Sequence, residues 1–121
     1  MTYESVVTVE SAALPGVSFR VAKMSYARRV ELMRRIREIA RSKEFLEGSE
    51  QPADRMDAAL IEAEINRLYL TWGLQSITGL IVDGMEATPE LLAEIGPEEL
   101  FREALAAVRR ETGLSASERK N

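Results

Sequence analysis

The side chains of this chain on which catalysis could rest are carboxylates, Lys and Tyr, for it has no His and no Cys. Disulfides, thiolate or imidazole metal centres and Cys-His or Ser-His-Asp couples are therefore excluded. Carboxylates are left. Glu62 and Glu64 fall on different faces of a helix, while Glu94, Glu98 and Glu99 straddle a helix break at Gly96, so neither set forms an acid–base couple. Glu90 and Glu94 share a face, but acids in the first turn of a helix complement its dipole. Asp83-Gly84 lacks the alternating oxygen ligands of a calcium loop and reads as a turn. No catalytic residue, metal ligand or cofactor is nominated, and the expectation is a protein that is not an enzyme.

Arginine is the other conspicuous chemistry. Between Ser18 and Lys43 lie nine positive residues (Arg20, Lys23, Arg28, Arg29, Arg34, Arg35, Arg37, Arg41, Lys43) and two negative ones (Glu31, Glu38), a local net of +7. Between Asp83 and Glu103 lie seven acids and one base, Arg102. A nucleic-acid surface would interleave aromatic or amide side chains with the arginines; only Phe19 and Tyr26 are at hand, and Phe19 belongs to a buried strand face. The expected use is a solvated basic face that pairs with acids of its own fold or of another copy. A small regulatory protein that binds nucleic acid through this helix is the competing expectation. Its binding would fall steeply with salt. Tyr69, Trp72 and Phe101 share stripes with Leu and Ile and are expected to pack in the core.

These residues must be positioned by elements that the patterning predicts. At 121 residues, 45% hydrophobic and a net charge of -4, the chain suits a single domain. No apolar run approaches the roughly 20 residues that span a bilayer, and Met1-Thr2-Tyr3-Glu4 lacks a signal peptide's layout, so a cytoplasmic protein with no membrane partner is expected. Ser5 to Val9 is rich in β-branched residues, and Val17, Phe19 and Val21 alternate with Ser18, Arg20 and Ala22. Leu14-Pro15-Gly16 between them predicts a hairpin with a type II-like turn.

Ser25 caps a first helix with the stripe Leu32, Met33, Ile36, Ile39, Ala40, expected to end near Gly48. Gln51-Pro52 or Asp54 opens a second, with Ala58, Ile61, Ile65, Leu68 and Trp72 inward, Leu60 and Tyr69 widening the stripe, and Gly73 as a left-handed stop. Asp83-Gly84 between short β-branched stretches predicts a second small hairpin. Thr88-Pro89-Glu90 starts a third helix through Leu91, Leu92 and Ile95. After Gly96-Pro97, a fourth turns Leu100, Phe101, Ala104, Leu105 and Val108 inward and stops at Gly113-Leu114. The expected fold is mainly α (α+β): a hairpin over residues 1–24, a helical body over 25–114 with the second hairpin between its second and third helices, and a frayed tail over 115–121.

The second half, through Trp72-Gly73-Leu74, Ile77, Gly79-Leu80, Val82-Asp83-Gly84, Ala87-Thr88-Pro89-Glu90-Leu91 and Gly96-Pro97-Glu98-Glu99-Leu100, resembles the tail assembly chaperones of long-tailed phages and prophages. The resemblance implies a non-enzymatic helical protein of the infected host's cytoplasm that coats the tape measure protein and helps recruit tail tube subunits. It also implies self-association and absence from the finished particle. Such a chaperone needs apolar grooves for amphipathic segments and enough charge to stay soluble. The nominated partner-binding residues are apolar ones off the main stripes, Leu14, Met24, Met56, Met85 and Leu114, with Arg28, Arg34 and Arg35 of the basic helix.

Overall fold

A computed structural model describes residues 1–41, 48 and 50–113. In chain order its elements are β1 (Val6–Glu10), β2 (Ser18–Ala22), α1 (Tyr26–Ala40), α2 (Pro52–Gly73), β3 (Leu74–Thr78), β4 (Ile81–Val82), β5 (Met85–Glu86), α3 (Pro89–Ile95) and α4 (Glu98–Thr112). The mainly α architecture with an N-terminal hairpin and a small second hairpin between α2 and α3 is as the sequence predicts. The described residues divide into two compact units, one of Met1–Met24 with Tyr69–Gly113 and one within Ser25–Leu68. The first hairpin thus belongs with the C-terminal elements, and the boundary falls inside α2.

In the first unit, β1 and β2 pair antiparallel from Val6 opposite Ala22 to Glu10 opposite Ser18. The turn is type II in form: Gly16 has φ +90°, and the Val17 N–H donates to the Leu14 carbonyl at 3.2 Å. Val17, Phe19 and Val21 are buried, and Arg20 between them is exposed, which gives the strand its period of two. No local pattern in the chain specifies what lies beyond β2. There β3 pairs antiparallel with it, so the sheet has the order β1-β2-β3. The β-branched stretch Ser76-Ile77-Thr78 is as the sequence predicts, and β2 supplies its partner.

Helix α4 lies against β2 and buries Leu100, Ala104, Ala107 and Val108. Phe101 and Leu105, expected inward, are half-buried because they sit at the edges of that stripe. Helix α3 is capped by Thr88, whose hydroxyl accepts from the Leu91 N–H at 3.1 Å, and has Pro89 in its first turn. Leu92 is buried, but Ile95, expected inward, is 54% exposed. The Asp83-Gly84 turn joins β4 and β5 with φ +49° and +80°, the pair of positive angles that a type I′ turn requires.

Gly73 corrects a sequence expectation. It closes α2 without entering the left-handed region; a Cβ there would lie 2.5 Å from Cγ1 of Val108. The residue is small because α4 passes close by. Gly113 does take the left-handed angle, φ +59°, and its N–H donates to the Arg109 carbonyl. Arg109 itself stacks over the ring of the buried Tyr69, 4.7 Å from its centroid.

In the second unit, the Ser25 hydroxyl accepts from the Arg28 N–H at 3.3 Å and caps α1, which buries Leu32 and Ile36. The described helix ends at Ala40 with Arg41 as its cap, short of the end near Gly48 that the sequence predicts; residues 42–47, and the capping box from Ser115 to Glu118, lie outside the described residues. Helix α2 opens at Pro52, with the Gln51 carbonyl accepting its first bond from Arg55.

Candidate functional site

The N-terminal half of α2 presents an apolar face to solvent. Met56 is 63% exposed and Leu60 58% exposed, and Ala53, Ala59 and Ala63 are exposed beside them. Ala53, Met56, Leu60 and Ala63 follow alternating steps of three and four residues, the spacing of a seam along which a second helix can lie. On the opposite face Ala58, Ile65 and Leu68 are buried. The helix is therefore apolar on two sides, and its own fold covers one of them. Asp57 and Glu64, both exposed, border the seam, and Arg67 follows at its C-terminal end.

Here the sequence expectation needs correcting. Leu60 was expected to widen the buried stripe, yet at 100° per residue it lies about 160° from Ala58 and points away from it. Met56, nominated from sequence, sits four residues earlier on the same face. Leu60, Ala59 and Ala63 were missed as surface residues. The signal that could have found them was the second three-four repeat, hidden because it overlaps an apolar stripe along most of the helix.

The other nominated residues lie on other elements. Leu14, 41% exposed, stands at the tip of the first hairpin, and Met85, 53% exposed, in β5. Met24 is half-buried where β2 ends. Arg34 and Arg35 are exposed on α1 and Arg28 is half-buried, while Arg34 is engaged within its own helix by Glu31 at 3.2 Å. Leu114 lies outside the described residues. The sequence nominations thus fall on several elements of both units.

A second built feature lies in the first unit. Glu103 of α4 accepts the Ser11 hydroxyl at 2.5 Å, the Ala12 N–H at 2.7 Å and the Ala13 N–H at 3.3 Å. The Ser11 oxygen in turn accepts from the Leu14 N–H at 3.0 Å. The Ser11 bond does most to hold the carboxyl below its ordinary range; the two N–H groups add to this and partial desolvation opposes it. The arrangement is a clasp that ties the hairpin loop to α4. At the same corner, a Cβ on Gly79 would overlap the Gly16 carbonyl oxygen. Turn and sheet are held at backbone distance.

Among the described residues no three of His, Cys, Asp or Glu gather closely enough to hold a metal ion. No described helix is long and apolar enough to cross a membrane. Compared with protein families, curated proteins and solved structures, the chain matches none.

Proposed function

We propose that this chain is a non-enzymatic tail assembly chaperone, which shields amphipathic helical segments of a tape measure protein and helps recruit tail tube subunits in the host cytoplasm, without remaining in the finished particle. The observation that carries the reading is the exposed seam of Ala53, Met56, Leu60 and Ala63 on α2. A partner helix laid along it would bury apolar surface that the chain's own fold leaves in water. Methionine suits this use because its flexible thioether adapts to varied side chains. Alanines beside it let a helix approach closely. The resemblance of the second half to tail assembly chaperones supplies the identity of the partner, and the seam supplies the means of holding it.

Co-expression with a tape measure protein tests this. The wild-type chain keeps the long helical partner in the soluble fraction, and the double variant Met56→Ser, Leu60→Ser loses that capacity while remaining folded. Equal solubility of the partner with and without the chain would rule the proposal out. Tight, salt-sensitive binding of the wild-type chain to nucleic acid would favour the Arg-rich helix as the working surface instead.

A further inference from the structure

We propose that β1 is a docking edge for a second copy of this chain, which pairs with it antiparallel through β1 of its own to give one continuous sheet. The inference stands on the first unit alone and does not depend on the chaperone reading.

The geometry of the edge follows from two hydrogen bonds. The Lys23 N–H donates to the Ser5 carbonyl at 2.9 Å, and the Ser11 N–H donates to the Val17 carbonyl at 2.8 Å. Bonded and non-bonded pairs alternate along an antiparallel ladder, so the odd-numbered residues of β1 bond to β2. The backbone N–H and C=O groups of Val6, Thr8 and Glu10 therefore point outward. β1 is the outer strand of the sheet, and among the described residues nothing hydrogen-bonds to that rim. Exposed edges are ordinarily blunted by Lys, Pro, a bulge or an inward-facing charge. β1 reads Val-Val-Thr-Val-Glu, and the sheet's register shift lies between β2 and β3. The edge is thus open and regular, with its one charge at the end.

Self-complementarity points to a second copy as the occupant. In a two-fold register centred on Thr8, Val7 lies opposite Val9 of the second copy and Val9 opposite its Val7. Thr8 meets Thr8, a favoured cross-strand pair, and Glu10 meets Val6. No like charges face each other: the two Glu10 residues stand about 14 Å apart along the strands, beyond the screening length at physiological salt. Val7 and Val9 are half-buried on the face that carries Val21 and Phe19, so pairing extends that apolar face across the junction. About six backbone hydrogen bonds close the edge on both sides. The two-fold axis, perpendicular to the sheet, sets both α4 helices on the same side of the joined sheet.

Sedimentation equilibrium of the full chain and two Thr8 variants tests the proposal. Thr8→Pro removes an outward N–H, so pairing with β2 persists while the docking edge is blocked. Thr8→Lys sets two ammonium groups against each other across the axis. The wild-type chain should be a dimer, and both variants monomers with unchanged circular dichroism. Since the chain has no Cys, Thr8→Cys adds a direct reading of register: a bonded pair's Cα spacing of about 5.5 Å lies within disulfide range, so mild oxidation should link two copies. A wild-type chain that stays monomeric overturns the proposal. So does a dimer that survives Thr8→Lys, or one in which Thr8→Cys forms no cross-link. Should Thr8→Pro fail to fold, the Lys and Cys variants still decide.

Discussion

Helix α4 and the N-terminal half of α2 are built from similar residues and end up differently covered. In α4 the apolar residues Leu100, Ala104, Ala107 and Val108 occupy one stripe, and the chain buries it. The α2 segment carries Ala58 and Ile65 on one face and Met56, Leu60 and Ala63 on the other, and only the first is buried. In the first case apolar content is explained by the protein's own core. In the second, part of it is left exposed among the described residues, which is why this surface rather than the more conspicuous arginines supports a role in binding another helix.

The contrast can be broken most severely at the corner of the first unit. Gly79→Ala places a Cβ on the Gly16 carbonyl at a positive φ, and should cost on the order of 4 kcal/mol in urea unfolding. Leu100→Ala, in the buried stripe of α4, should cost about 3 kcal/mol, whereas Leu60→Ala should change stability by less than about 0.5 kcal/mol. Similar losses at the two leucines would erase the difference between the helices.

Glu103→Ala releases the hairpin loop and should cost about 1–2 kcal/mol, less than three charged hydrogen bonds would give in a dry interior because the carboxylate is partly solvated. The pH dependence has a definite sign. The carboxyl's folded pKa lies below its ordinary 4.5, so its contribution is present above that value and is lost as pH falls through the lowered one. Melting temperatures of the wild-type chain and of Glu103→Ala should therefore converge on acidification, and a gap that stays constant with pH would show that the carboxylate's charge is not what holds the loop. The smallest effect on stability belongs to Met56→Ser with Leu60→Ser, which should leave the unfolding midpoint nearly unchanged while abolishing solubilisation of the partner.

Turns and caps were legible in the chain because their chemistry is local. Pro15-Gly16, Asp83-Gly84, Ser25, Thr88-Pro89 and Gly113 each specify a backbone geometry within three or four residues, and each adopts it. The alternation of Val17, Phe19 and Val21 likewise declared which face of β2 is covered. Of the candidate site, Met56 could be nominated as an apolar residue off the main stripe, whereas Leu60 could not be separated from the core. Other features depended on what distant segments bring alongside. Gly73 looks like a helix stop until Val108 is beside it. Ser76-Ile77-Thr78 reads as a β-branched stretch, but its partner β2 is not legible until the chain folds. Glu103 is one acid among seven until Ser11 reaches it across 92 positions of sequence. An apolar residue's type says that burial would be favourable but not whether a neighbour arrives to provide it, so the exposed face of α2 and the open edge of β1 emerge only when the chain has folded and its own contacts are used up.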